Sequence, residues 1–357
     1  MRNSPPMCNK DNQQFHPALK DGVPLLRLDE KKIRKGKPIG LPYQGSKKKV
    51  AKKIVEIIKQ NFGTDKIVYD VFGGGGAITA ECLINGLDVR YNDHCEFITA
   101  AFQKIISSDR DRLKTLIVSR EEFFKIREKP NKTLDDEVKL LVNSFGNNRK
   151  DYLYAKSFAD DKYRLAVEII AKHDVFSGYK QTETYQNAAR QFDVERLEQL
   201  ERLERLEQLG QLGQLQQLEQ LQQLEQLGQL QQLEQLQQLE QLGQLQRLQR
   251  LQQLETTDED YRAFSEVKGA VFYLDPPYEN TNVRGYSDSK QFNHAEFYDW
   301  AVEMARENIV LLSSYTVSDD RFKEVFRFET AQSTLCSGRD KSRFEKLFMV
   351  TSSPTLK

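Results

Sequence analysis

At 357 residues, with 53 Lys and Arg against 53 Asp and Glu, the chain is neutral overall and has room for one large domain or two ordinary ones. Its four cysteines, Cys8, Cys82, Cys95 and Cys336, show no paired spacing, which argues against a zinc site or a disulfide framework. No apolar run approaches the ~20 residues that cross a membrane, and the N-terminus is polar, so a soluble cytoplasmic protein with no membrane partner is expected. The charge is unevenly spread. Residues 1–60 carry fifteen Lys or Arg against five Asp or Glu, whereas residues 195–255 carry five Arg, no Lys and ten Glu. The basic front end permits a polyanionic partner, although residues 1–36 taken alone read as a solvated extension.

In chain order, Val50 to Lys59 predicts a lysine-rich amphipathic helix, preceded by Pro42-Tyr43-Gln44-Gly45-Ser46-Lys47. Lys66 to Phe72 predicts a buried strand running into Gly73-Gly74-Gly75-Gly76. Ala77 to Asn85 predicts a helix that Gly86 can end, Leu87 to Tyr91 a second strand, and Cys95 to Ile106 a further helix. This alternation implies a parallel sheet covered by helices. Residues 107–193 are mixed and aromatic-rich, with a loop expected over Ser144 to Tyr152. After residue 255 the alternation returns: a strand over Val271–Leu274, a helix from about His294 to Asn308, and strands over Ile309–Ser313, Val325–Phe328 and Phe344–Val350.

Between these halves lies a low-complexity tract, with twenty leucines at a strict spacing of three from Leu197 to Leu254. The block Gly213–Leu227 recurs unchanged as Gly228–Leu242. Its residues favour helix, yet a spacing of three lags an α-helix by about 60° per step, so the leucines wind around every side. A 3₁₀-helix would align them but rarely runs so long. Helix, stacked solenoid coils with one Gly each, and disorder all stay open. The acidic balance argues against DNA here, and a spacer or protein-contact surface is expected.

Four places carry chemistry. Gly73 to Gly76 sit where a strand becomes a helix, a position that suits a ligand approaching backbone amides or simply a tight turn; neither the dinucleotide nor the P-loop spacing is present. Asp93 lies twenty residues after Gly73. At the carboxyl edge of a neighbouring strand it can take the ribose hydroxyls of a nucleoside, cap the next helix, or do both. Lys47 can neutralise a ligand carboxylate and Tyr43 can stack on the ligand, unless the segment is only a surface turn. Asp275-Pro276-Pro277-Tyr278 ends a buried strand that two prolines cannot continue. A carboxylate, rigid carbonyls and an aromatic ring together can grip a planar amine.

These four motifs, in this order, resemble the Dam-type DNA adenine-N6 methyltransferases over residues 38–106 and 256–357. The resemblance implies an α/β fold: a Rossmann-like S-adenosylmethionine-dependent methyltransferase sheet with an inserted target-recognition region, here joined by a leucine-rich triplet-repeat insertion. It implies S-adenosylmethionine as cofactor, held by Tyr43 and Lys47, by Asp70, Phe72, Gly73, Gly74 and Gly75, by Asp93 as the ribose acid, and by Asp275. Asp70 and Val71 stand where the family carries Glu and Pro. Asp275, Pro276 and Tyr278 take the catalytic role, Leu312 to Tyr315 resemble a later strand-end motif, and Lys341 to Leu347 a basic carboxyl-terminal motif. The middle region lacks the pattern of GATC-specific members, so that specificity is not carried over. The implied division is 1–36 basic extension, 37–106 cofactor-binding core, 107–193 target recognition, 194–255 repeat insertion and 256–357 catalytic core.

The mechanism so implied is direct in-line transfer to N6 of an adenine flipped out of double-stranded DNA, with no covalent nucleophile and no role for Cys95 or Cys336. Asn147, Arg149, Lys150 and Tyr152 are candidates for DNA contact on composition only. The repeat at 194–255 is a candidate site for a protein partner. The competing expectations are methylation of RNA or of a protein amide, and a non-catalytic scaffold built around the repeat.

Overall fold

The computed structural model describes residues 19–20, 23–43, 45–191, 233–248, 254–279, 292–332 and 344–351. Most of the leucine tract, the first eighteen residues and Lys341–Arg343 of the basic segment lie outside them. Strands β1 (Leu19–Lys20) and β2 (Val23–Pro24) form a short antiparallel ladder.

The rest is an α/β fold around a mixed seven-stranded sheet. Its strands are β3 (Val68–Asp70), β4 (Val89–Asn92), β5 (Thr256–Thr257), β6 (Val271–Leu274), β7 (Ile309–Ser314), β8 (Phe322–Gln332) and β9 (Phe344–Val350), in the order β5-β4-β3-β6-β7-β9-β8. The strands from β5 to β7 in that order run parallel, and β9 pairs antiparallel with both β7 and β8. The chain steps outward from β3 to β4 on one side and reaches β6 on the other. The order therefore reverses at β3, and in α/β proteins ligands sit at the carboxyl ends of the strands flanking such a reversal, here β3 and β6.

Strand β6 shows why the centre of the sheet is fixed. All four residues are buried. Val271 and Tyr273 face a core with Ile54, Ile57 and Ile58 of helix α1 (Ala51–Phe62) and Ile78 of helix α2 (Ala77–Ile84). Phe272 and Leu274 face the opposite core, with Phe297, Ala301 and Met304 of a later helix (His294–Met304). A strand covered on both faces needs apolar residues at every position, and that is the run the sequence shows.

Several elements are shorter or longer than their apolar patterns suggest. Strand β3 keeps only Val68–Asp70 of the expected 66–72, because Val71 and Phe72 already turn into the glycine loop. The helix after residue 293 stops at Met304, where Asn308 Nδ2 caps the Met304 and Val267 carbonyls and its Oδ1 takes the Ala270 amide. Strand β8 extends beyond Val325–Phe328 in both directions, with register shifts against β9.

Between β4 and β5 the chain makes a helical excursion. It runs through α3 (Glu96–Ser107), α4 (Arg110–Lys114), α5 (Arg120–Arg127), α6 (Leu134–Val142) and α7 (Ala159–His173) to α8 (Glu234–Gln246), the described end of the leucine tract. Leu233, Leu236, Leu239, Leu242 and Leu245 are all fully buried, in one core with Phe102, Leu113, Val138, Ile169 and Tyr179. Helix α8 is therefore enclosed, which is how leucines stepping around a helix can all be covered. For these residues the expectation of a spacer fails.

Gln235 is the polar anchor of that enclosure. Its Nε2 donates to Val118 O at 3.0 Å, Asn143 Oδ1 at 2.7 Å and Tyr152 Oη at 3.2 Å. Lys162 beside Glu234, and Lys37 beside Glu240, pair the tract's carboxylates. Among the described residues, no helix is long and apolar enough to cross a membrane.

Candidate active site

The glycine loop leaves β3 and is walled by aromatic rings. A Cβ on Gly73 would lie 2.3 Å from the Tyr91 ring, and one on Gly76 would lie 2.3 Å from the Phe102 ring. Gly74 has a positive φ of 49°, and a Cβ there would meet the Tyr43 ring at 2.8 Å. The need for glycine here is thus partly close packing, beyond the access to amides that the sequence suggested. Tyr43 does reach the loop. It comes from the segment before α1, which is pinned by the Leu41 amide on Gly75 O at 2.7 Å.

Asp93 follows β4. Its Oδ2 accepts the Gly74 amide at 2.8 Å and its Oδ1 accepts the Cys95 amide at 2.9 Å. The residue capping α3 is Cys95, without a side-chain cap, so Asp93 braces the turn into the helix and the glycine loop together. Burial raises its pKa, against the two amides. Each oxygen takes one amide and keeps further acceptor capacity, which suits a pair of hydroxyls.

Asp70 lies deeper, 1% exposed. Its Oδ2 accepts from the Thr79 amide at 3.1 Å and from the Thr79 hydroxyl at 2.6 Å. The capping residue of α2 is Gly76, which has no side chain, so Asp70 supplies the missing acceptor from the strand. Burial pushes its pKa from 3.8 to about 7, against the Thr79 hydrogen bonds and with help from the charges of Asp275 and Asp93. Phe72 packs edge-on to Phe297 and Phe292, beside the loop.

The turn after β6 gathers the charged residues. Lys47 Nζ stands 2.8 Å from Asp275 Oδ1, donates to Tyr278 Oη at 2.6 Å and lies 3.8 Å from Glu345 Oε1. Tyr278 Oη donates in turn to Glu345 Oε1 at 2.5 Å, which also accepts from Ser313 Oγ at 2.6 Å. The Tyr278 ring meets Tyr315 edge-on, with centroids 4.8 Å apart. The Pro277 carbonyl is held by His294 Nε2 at 2.9 Å, and Pro276 is buried. Burial works against the charge of Lys47, but Asp275 and Glu345 outweigh it and hold its pKa above the ordinary value. Burial also raises Asp275, to about 6, with Lys47 opposing and Glu345 adding to the rise.

The fold thus brings Tyr43, the glycine loop and Asp93 together at the end of β3. It brings Lys47, Asp275 and Tyr278 together at the end of β6, the adjacent strand. Ser313 and Glu345 fall inside the two segments that the resemblance marked, Leu312–Tyr315 and Lys341–Leu347, but neither was given a role there. No spacing links them to Asp275; only the pairing of β9 with β7, which sets Lys346 opposite Ser314, brings them near.

The loop Ser144–Tyr152 is closed by a bridge between its ends. Tyr152 is buried and donates to Val118 O, so it is not a DNA contact. Arg149 pairs with Glu137 and covers Phe97, Asn147 Nδ2 donates to Leu141 O, and Lys150 is exposed.

Residues 43–201 match the family model described as D12 class N6 adenine-specific DNA methyltransferase. The match takes in Tyr43, Lys47, the glycine loop and Asp93, continues through residues 107–193, and ends before Asp275. No curated protein matches the chain.

Proposed function

We propose that the chain, whose residues 43–201 match the D12 class N6 adenine-specific DNA methyltransferase family model, is an S-adenosylmethionine-dependent adenine-N6 DNA methyltransferase with Asp275, Pro276 and Tyr278 as its adenine grip. The observation that carries this reading is the position of the Asp275–Tyr278 turn. It leaves β6 beside the glycine loop of β3, where the strand order reverses.

The residues present suit the cofactor. Asp93 has acceptor capacity for ribose hydroxyls, Tyr43 and Gly73 to Gly75 line the adjoining loop, and Lys47 offers a cation. Bound S-adenosylmethionine supplies an electrophilic methyl group. The protein's task is to make N6 of adenine a nucleophile, since its lone pair is delocalised into the ring. The Asp275 carboxylate and the Pro276 carbonyl would accept hydrogen bonds from the two N6–H groups and favour pyramidal geometry, and the methylated nitrogen would then lose one proton, through Asp275, to solvent. Tyr278 covers the face of a base flipped out of the duplex. Lys47 must give up Asp275 when the amine arrives, so it serves as the charge partner of the waiting site. Direct displacement needs no covalent enzyme intermediate, and positioning supplies the rate.

Within this reading, residues 37–106 bind the cofactor, 107–193 meet the target sequence, and 256–357 carry the catalytic turn. The sheet is the Rossmann-like methyltransferase sheet, with target recognition and repeat inserted between β4 and β5. Helix α8 braces the recognition region from within, which leaves the earlier part of the repeat for a protein partner. Work on DNA fits a cytoplasmic enzyme.

The test is Asp275→Ala, assayed by methyl transfer to duplex DNA and by equilibrium binding of S-adenosylmethionine. Transfer is expected to fall by about 10²-fold or more, while cofactor binding is weakened or retained. Undiminished transfer would sink the assignment.

A further inference from the structure

We propose that Glu345 is a positioning residue of the adenine site: it fixes the Tyr278 ring through its hydroxyl and holds Lys47 back from full possession of Asp275. The inference rests on the reading of Asp275 and Tyr278 given above and extends it to a residue on a different strand.

The geometry is specific. Glu345 is 6% exposed, and one oxygen, Oε1, collects the Tyr278 hydroxyl at 2.5 Å and the Ser313 hydroxyl at 2.6 Å. Ser313 is fully buried on β7 and anchors that oxygen from the sheet. Tyr278 is therefore tethered at its far end, with Tyr315 edge-on at its ring, so the tilt of the ring is set by a carboxylate rather than by packing alone. A ring that must lie flat on a base benefits from such a tether, because small misplacements of positioning groups cost rate steeply.

The second role is electrostatic. The groups facing Glu345 are Lys47 from before α1, Asp275 and Tyr278 from the turn after β6, and Tyr273 of β6. Two carboxylates share one buried ammonium. With Glu345 neutral, Lys47 would belong to Asp275 alone, and an adenine amine would have to displace an undivided ion pair. With Glu345 charged, that pair is weakened, and Asp275 is raised by the like charge.

The experiment compares the full-length chain with Glu345→Gln, which keeps an acceptor but not the charge, and with Glu345→Ala. Asp275 is followed by carboxylate-labelled NMR titration, its signal assigned by loss in Asp275→Asn. The pH profile of kcat/KM on duplex DNA is measured alongside. In Glu345→Gln the Asp275 midpoint and the acid limb of activity are expected to move together to lower pH by about one unit. In Glu345→Ala kcat is expected to fall by about 10²-fold with S-adenosylmethionine binding unchanged, and adding Tyr278→Phe should cost little more.

An Asp275 midpoint unmoved in Glu345→Gln overturns the electrostatic role whether or not the protein is active. Independent, additive losses from Glu345→Ala and Tyr278→Phe overturn the positioning role. A wild-type chain that titrates as expected but methylates no adenine would instead refute the reading beneath.

Discussion

At the scale of single residues, the site is a set of carboxylates held at unequal cost. Asp275 is raised to about 6 by burial, with Lys47 pulling it down. In the proposed mechanism it must be ionised to accept hydrogen bonds from N6, so its working range would lie above that midpoint. The acid limb of kcat/KM, which reports the free enzyme, should therefore fall about tenfold per pH unit below about 6. Lys47→Met removes the cation that opposes the rise and leaves burial and Glu345 to raise Asp275. Its acid limb is expected to move to higher pH by about one unit or more, in the direction opposite to Glu345→Gln. A pH–rate series on the variant decides this. A limb that stays in place would show that Lys47 does not set the charge on Asp275. The candidate turn and its place at the end of a buried strand were legible in the sequence because Asp275-Pro276-Pro277-Tyr278 is contiguous and follows an uninterrupted apolar run. Glu345 stood inside the Lys341–Leu347 motif, but its link to Asp275 was not legible, because seventy residues separate them and only strand pairing brings them together.

At the scale of elements, the junction from β3 to α2 shows a cap borrowed across a loop. Gly76 leads the helix and cannot cap it, and Asp70 does so from the strand at the cost of a buried charge. The folded pKa, about 7, lies above the ordinary 3.8 of the unfolded chain. The folded state therefore holds the proton more tightly, and stability is lost as pH rises from about 4 to about 7. The full shift corresponds to about 4 kcal/mol at pH 8 as an upper bound. Asp70→Asn keeps an acceptor for Thr79 and removes the ionisation. Its stability relative to wild type is expected to improve between pH 4 and about pH 7 and then level off, read by denaturant unfolding; a constant difference would mean that Asp70 is not neutralised in the fold. The alternating elements around this junction were readable from apolar runs and glycine punctuation. Their ends were not, because side chains such as Asp70 and Asn308 end helices through partners distant in sequence.

At the scale of the whole molecule, the leucine tract is where sequence pattern and structure part most. Spacing alone shows no buried face, because it cannot reveal that other elements surround the helix. Once α8 is seen to be enclosed, the repeat acquires a consequence of its own. Residues 218–231 repeat residues 233–246 without change, so each buried leucine, the anchoring Gln235, and Glu234 and Glu240 have counterparts fifteen positions earlier. Sliding the chain by one repeat would seat an identical helix in the same enclosure. Leu248, which packs at its edge, would be replaced by Leu233. The slide lengthens the connection to β5 by fifteen residues, and loop entropy charges only about 1 kcal/mol for that. Leu239→Ala should therefore cost about 1 kcal/mol instead of the ~2–5 kcal/mol normal for a fully buried leucine. Leu224→Ala alone should cost almost nothing, and the double variant Leu224→Ala with Leu239→Ala should restore the full loss. Denaturant unfolding of the three variants measures the non-additivity. A full loss from Leu239→Ala alone would show that the enclosure accepts a single register, and that the repeat is fixed in place by more than the residues it repeats.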